Sequence, residues 1–349
     1  MSRPFADEPS FSSGSVTIHD VAQAAGVSVS TVSRILNGKP DVAKATRQRV
    51  QNVIERLGYT PHVSAQSLAA RRSNQISLLF PLEHANLTQL ELDFFVSAAE
   101  AAEAADYILN LITTPLDTTR LLNLYKSKQT DGVILMQVQM DDARAQILRA
   151  QGYPFVMIGH GQDSDGMSFV DMDFEATFAL ALQHLVDLGH RQVGFIARPY
   201  TMRQRNLGSA VRTLKGYLDA CERLSLTPHY REPLLDPQEV YVAARELLRE
   251  EPSMTAIIAS NGAASVAVMR AVQETGRSVP ADFSLVALAT AKIANLTTPP
   301  LTAIHFPTDK MGYEAARILT SMLRDPARPL EQILIAPELI VRGTTQSPR

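Results

Sequence analysis

The sequence predicts a multidomain chain with an all-α helix-turn-helix head, a short linker, and an α/β core of two lobes built on doubly wound parallel sheets. Three observations carry this expectation. Two short helix-like runs separated by a glycine turn occupy Val16–Asn37. From Gln75 onward, short apolar runs alternate with helix-length segments. Finally, 349 residues exceed what one ordinary core holds.

In the head, Thr17 stands three residues before Asp20, a capping-box-like Thr-x-x-Asp that opens a helix. The run Val21-Ala22-Gln23-Ala24-Ala25 then breaks at Gly26. A second helix covers Val29–Leu36 and closes at Asn37-Gly38. Two helices joined by so tight a turn make a helix-turn-helix, whose second helix fits a DNA major groove. A third helix is expected from about Lys44 to Leu57, with Val50, Val53, Ile54 and Leu57 at i, i+3, i+4 and i+7 and Gly58 as its stop. Its apolar stripe would face Val21, Ala25, Val32 and Leu36. The head spans 16–62, and residues 1–15, rich in Ser, Pro and Gly, read as a disordered leader.

Charge separates this head from the rest. The chain carries a net −3, yet residues 16–73 hold eight basic and only three acidic side chains. A basic head on an acidic body is the distribution of a small DNA-reading unit attached to something else. A polar N-terminus and the lack of any apolar run near the roughly 18–20 residues that span a bilayer point to a cytoplasmic protein without membrane contact. Cys221 is the only cysteine, which excludes an internal disulfide.

Residues 63–73, VSAQSLAARRS, contain good helix formers but too few apolar positions to bury a face. They suit either a plain linker or one that becomes helical only on DNA. The core then occupies 74–349. Strands are expected at Ile76–Phe80, Tyr107–Ile112, Gly132–Met136, Phe155–Ile158, Phe169–Met172, Val193–Ala197, Ala256–Ala259, Leu285–Leu288, Leu301–His305 and one last strand near Ile333–Val341. Helices are expected between them, near 91–105, 116–128, 141–151, 174–188, 206–224, 238–250 and 262–275, with another at Asp309–Leu323. Short, nearly continuous apolar strands alternating with helices mean parallel sheets. So many strands divide naturally into two lobes with a cleft between them, the chain crossing more than once.

At Val16–Ala69 a resemblance becomes specific. VTIHDVAQAAGVSVSTVSRILNG and VAKATRQRVQNVIERLGYTPHVSAQSLA resemble the LacI/GalR family of bacterial transcription regulators nearly position for position. The similarity continues through HLVDLGHRQVGFI, TAIIASN, VPADFSLVAL, TPPLTAI and PELIVRGTT, ending near Thr345. It implies a helix-turn-helix head, a hinge helix at 63–73 that forms on DNA, and a core like periplasmic sugar-binding proteins. It also implies a homodimer on a roughly palindromic double-stranded operator, acting as a repressor, with a small-molecule effector, most often a sugar in this family, between the lobes. No cofactor or metal is implied.

The resemblance places base contacts at Val29, Ser30, Ser33 and Arg34. Arginine can bond guanine O6 and N7 together, so Arg34 is the strongest candidate reader. Thr17, Thr31, Asn37 and Thr46 match phosphate-binding positions, and Leu68 matches a leucine that wedges into the minor groove. Ala43 stands where Ser usually caps the third helix, and Gln66 where Arg is frequent.

The cleft departs from the family pattern. An Arg is expected three residues before the pair Gly216-Tyr217, but Thr213 stands there with Arg212 beside it. Ser260-Asn261 is followed by Gly262 instead of Asp, and a Gly-Phe-Asp-Asp turn is replaced by Ala287-Leu288-Ala289-Thr290. Asp173 matches and alternates with Asp171 toward one side of a strand end, where it either contacts ligand or caps the following helix. Arg198, Arg203 and Arg205 follow the Val193–Ala197 strand and could supply cations for an acidic or phosphorylated ligand. The candidate effector residues are therefore Asp173, Arg203, Arg205, Arg212 and Asn261, and a non-sugar effector (acidic, phosphorylated or a nucleobase), or none, stays open.

Two other function classes fit poorly. An enzyme would need a motif, but Gly159-His160-Gly161 lacks the third glycine of a dinucleotide fingerprint. No Gly-x-Ser-x-Gly elbow or metal-spaced histidine pair is present. A transport-type binding protein would not need a basic helix-turn-helix.

Overall fold

The computed structural model describes residues 16–36, 41–59, 72–82 and 89–348. The expected leader at 1–15, most of the hinge segment, Leu68 and Asn37 lie outside the described residues. The chain forms two compact units, Met1–Ser73 and Asn74–Arg349.

The first unit contains α1 (Ile18–Ala25), α2 (Val29–Leu36) and α3 (Lys44–Leu57). Both sides of the capping box are made: Thr17 N donates to Asp20 Oδ2 at 2.8 Å, and Asp20 N donates back to Thr17 Oγ1 at 3.4 Å. Gly26 ends α1 in the left-handed conformation at φ 62°, its N–H donating to the Ala22 and Gln23 carbonyls. Val21, Val32 and Val50 are fully buried where the three helices meet, with Ala22, Ala25, Ile35, Val53 and Tyr59 around them. Ile35 rather than Leu36 takes the deep position; Leu36 is half-buried at the rim. Ala43 precedes α3 with no side-chain cap.

The second unit has two six-stranded sheets. The first combines β1 (Gln75–Leu79), β2 (Ile108–Ile112), β3 (Gly132–Leu135), β4 (Phe155–Ile158), β5 (Ser168–Met172) and β11 (Gln332–Ile335) in the order β11-β5-β4-β3-β1-β2, every pair parallel. The second combines β6 (Val193–Ile196), β7 (His229–Arg231), β8 (Ala256–Ala259), β9 (Ser284–Ala289), β10 (Thr302–His305) and β12 (Leu339–Ile340) as β12-β10-β9-β8-β6-β7. Only β12 runs antiparallel to its neighbour.

The helices of the first lobe are α4 (Gln89–Glu103), α5 (Thr118–Lys126) and α6 (Ala143–Gln151), joined late by α13 (Thr308–Arg324). Those of the second are α7 (Phe174–Asp187), α8 (Tyr200–Gln204), α9 (Gly208–Arg223), α10 (Pro237–Glu250), α11 (Gly262–Gln273) and α12 (Ala291–Leu296). Among the described residues no helix is long and apolar enough to cross a membrane.

The expected last strand is in fact two. Pro337 falls between β11 and β12; a proline has no N–H to give a ladder, and here the chain leaves one sheet for the other. β7, α8 and α12 were not expected, because none contains an apolar run long enough to show a period. The chain thus crosses between lobes after β5, after β10 and after β11. The crossings lie side by side, since Asp173 N donates to Ile335 O at 3.0 Å and His305 N to Glu338 O at 2.8 Å. One continuous apolar cluster spans both lobes there, and Phe306 packs edge-on against Phe94 of α4 and Phe174 of α7, with ring centroids 6.0 and 6.3 Å away.

Helices within each lobe approach closely where glycine allows. A Cβ on Gly216 of α9 would lie 2.7 Å from the Glu175 Cα of α7. The neighbouring Tyr217 is fully buried, and its hydroxyl donates to Val193 O at 3.0 Å while accepting from His229 N at 3.1 Å. The Gly-Tyr pair therefore serves packing, a glycine for backbone approach and an aromatic to pin β6 against β7.

Candidate nucleic-acid interface and effector cleft

In the head, α2 presents the polar side chains. Ser28 opens it: its Oγ accepts from Thr31 N at 3.2 Å and lies 2.8 Å from both Ser30 Oγ and Thr31 Oγ1. This N-cap holds two of the expected DNA-facing hydroxyls in one local network. Ser30 and Arg34, four residues apart, are exposed on the same face. Ser33 is half-buried beside them, whereas Val29 packs partly against the head core and offers only its edge.

Arg34 Nη2 lies 2.8 Å from Asp41 Oδ2, with both side chains largely in solvent. An exposed pair of this kind is worth little, so the guanidinium can exchange Asp41 for a base edge at small cost. Thr17 is exposed, and its Oγ1 donates to Asp20 Oδ2 at 2.7 Å. The backbone and hydroxyl bonds from Thr17 hold the Asp20 carboxyl below its ordinary pKa. Thr46 is half-buried in the first turn of α3.

In the core, the C-terminal strand ends of both lobes converge on a cavity of about 120 Å³. Phe80, Phe94, Phe174 and Phe306 supply an aromatic lining, and Glu91, Gln137, Asp171, Arg198 and Ser209 supply the polar groups. Arg198 follows β6 and stacks over the Phe174 ring at 5.4 Å. Its Nε has no hydrogen-bond partner, nor does Gln137 Oε1. Burial lowers the Arg198 pKa, opposed by the negative charges of Asp171 and Glu91. Asp171 is buried, and its Oδ2 lies 2.7 Å from His160 Nδ1. Leaving a buried polar atom unpaired costs about 1–3 kcal/mol, and such groups gather where a ligand completes them.

None of the five candidate effector residues is among those lining this cavity. Asp173 caps α7, accepting from Ala176 N at 2.8 Å, and Asn261 caps α11, accepting from Ala264 N at 2.8 Å. Arg203 makes two bonds to Glu232, each 2.7 Å. Arg205 lends its carbonyl to Gln139 Nε2 at 2.8 Å. Arg212 is buried and donates to the His160 and Gly161 carbonyls at 2.7 and 2.8 Å.

The departures from the family pattern are physical. A Cβ on Gly262 would sit 2.6 Å from Ile293 Cγ2 and 3.0 Å from Ala289 Cβ, so an aspartate there has no room. Thr290 caps α12. Arg198 was within reach of sequence reasoning, since it follows a strand's C-terminal end, but nothing in the sequence separated it from Arg203 and Arg205. The phenylalanines come from four distant segments and carry no common signal.

Against known proteins, residues 17–62 match the model of bacterial regulatory proteins of the lacI family, and residues 182–345 match a periplasmic binding protein-like domain. The chain is 30% identical to the HTH-type transcriptional regulator CelR of Thermobifida fusca, covering 93% of this chain and 97% of the relative. The solved CelR–cellobiose complex is similar at 27% identity and a TM-score of 0.67, covering 94% of this chain and 99% of that one. The lac repressor dimer bound to operator and the anti-inducer ONPF shares the fold at 24% identity and a TM-score of 0.83, covering 95% and 100%. With a helix-turn-helix head and a two-sheet binding-protein-like core, the chain belongs to the LacI family of bacterial regulatory proteins and is a DNA-binding transcriptional regulator.

Proposed function

We propose that the chain is a cytoplasmic repressor that binds a roughly palindromic operator as a homodimer and answers to a small carbohydrate held between its lobes, controlling a carbohydrate-utilisation operon. Ser30, Ser33 and Arg34 read bases, with Val29 giving an apolar edge contact. Thr17, Thr31, Asn37 and Thr46 hold phosphates, and Leu68 wedges the minor groove between two heads. Pairing is supported by apolar side chains left exposed on adjoining elements, Leu92 and Val96 on α4 with Ile108 and Leu111 on β2.

The observation that carries the effector reading is the cavity, where Arg198 Nε and Gln137 Oε1 lack partners in a wall otherwise rich in phenylalanine. Aromatic faces suit the apolar faces of sugar rings, and unpaired amide and guanidinium groups suit hydroxyls. A relative of this chain is known as a cellobiose complex. The lack of room for a side chain at Gly262, against Ile293 and Ala289, favours a second reading, an acidic, phosphorylated or nucleobase effector that needs no carboxylate at that position.

The test is thermal unfolding of the full chain with cellobiose, maltose, glucose 6-phosphate and xanthine, followed by duplex-DNA binding with each ligand that shifts it. A sugar at 100 times its Kd stabilises by about 2.7 kcal/mol and changes DNA affinity. A response to glucose 6-phosphate or xanthine alone replaces the neutral-sugar reading with the second one. DNA binding that does not weaken with salt contradicts the phosphate contacts assigned to the head.

A further inference from the structure

The lobes touch at a second place, away from the three crossing segments. Val138–Met140, which follows β3, and Asn206–Gly208, which leads into α9, run antiparallel with Gln139 bridging Leu207. Gly208 N donates to Val138 O at 2.9 Å and Met140 N to Asn206 O at 2.8 Å. One turn into α9, Arg212 reaches across to the carbonyls of His160 and Gly161. Its partners there are backbone dipoles, so a buried charge is spent on holding a loop of the opposite lobe.

The surroundings are fitted to this contact. A Cβ on Gly208 would lie 2.7 Å from Arg212 Nη1 and 3.0 Å from His160 O, so only glycine leaves the guanidinium its path. Gln137 and Asn206 flank the bridge in the left-handed conformation, at φ 51° and 57°, which side chains other than glycine adopt at a cost. Gln137 also brings its unpartnered Oε1 to the cavity, and Asp171, which holds His160, is part of the same wall. A displacement of one residue along a helix turns a side chain by about 100°. An arginine at 212 thus faces the 160–161 loop, where one at 213 would face elsewhere.

We propose that Arg212 is a latch that holds the two lobes closed over the cavity, and that Asp171–His160 and Gln137 connect cavity occupancy to it. The latch needs no particular effector, so its test stands apart from the identity of the ligand. Hydrogen–deuterium exchange of the full chain without added ligand reads it directly, in wild type, Arg212→Ala and Arg212→Lys. In Arg212→Ala, amides of 138–140 and 206–208 exchange about tenfold faster or more, while those of 256–259 and 284–289 keep their protection. Arg212→Lys, which keeps the charge but not the planar fork that meets the two carbonyls with separate nitrogens, gives a smaller rise at the same two segments. Wild-type protection at those segments in Arg212→Ala overturns the latch, and so does an equal rise at all four, which would mark a merely structural residue. If Arg212→Ala fails to fold, Arg212→Lys is read by the same two criteria.

Discussion

In the head, the groups that fix the helix-turn-helix lie close together in sequence: Thr17 with Asp20 at the start of α1, Ser28 with Ser30 and Thr31 at the start of α2, and Arg34 with Asp41. The cleft instead draws its wall from residues scattered between Phe80 and Met311. The head is therefore tuned by hydrogen bonds that are individually small, whereas the cleft is fixed by packing and by polar groups that only distant chain segments bring together. Perturbing one should leave the other largely intact.

The largest expected effect breaks the cleft side through packing. Gly216→Val forces α9 off α7, because a Cβ already meets the Glu175 backbone, and should cost about 1–3 kcal/mol or more. Calorimetry should show the core melting several degrees lower while salt-dependent retention on DNA at low temperature persists. Loss of both together would deny the separation.

Arg198→Met sharpens the contrast between stability and function. It removes a buried guanidinium whose Nε is unpaired, so ligand-free stability should stay level or rise by about 1 kcal/mol. The same change should abolish any ligand-induced thermal shift; a retained shift would move the binding site elsewhere.

Acidification should act through the core as well. His190 is buried between Thr255, Ser284 and the Gln346 carbonyl, and burial lowers its pKa below the ordinary 6.5, only partly offset by that carbonyl. Burial lowers His184 too, close to Thr345. A histidine whose folded pKa is depressed takes up its proton more readily when unfolded. Its contribution is complete above about pH 6.5 and is lost as pH falls from there through the folded value. Melting temperature should accordingly fall between pH 7 and pH 5, and a flat profile would contradict a neutral imidazole at buried His190 and half-buried His184.

The smallest effect belongs to the head. Ala43→Ser supplies the missing cap of α3 and should stabilise the head by about 0.5–1 kcal/mol, leaving the core unfolding transition where it was.

Legibility in the sequence follows the same division. The capping box, Gly26 and the stripe of α3 could be read directly because each is a signal within a few residues. The strands other than β7 were legible as short apolar runs, but the break at Pro337 was not, because apolar residues continue on both sides of it, Ile333–Ala336 and Leu339–Val341. In the cleft, Asp173 reads equally as a ligand contact or a helix cap and Asn261 as a candidate contact; both cap helices in the structure. A carboxylate or amide at such a position satisfies either role, and only the neighbouring N–H groups decide. Ser28 was overlooked for the reverse reason: it sits inside the turn, where a serine needs no explanation.

The most direct measurement is selection of bound duplexes from a random pool by the full wild-type chain and by Arg34→Ala. Wild type should return a roughly palindromic consensus. Arg34→Ala should return the same consensus with its guanine preference relaxed by about 1–3 kcal/mol at one symmetric pair of positions. An unchanged consensus in Arg34→Ala would contradict the assignment of Arg34 as a base-reading residue.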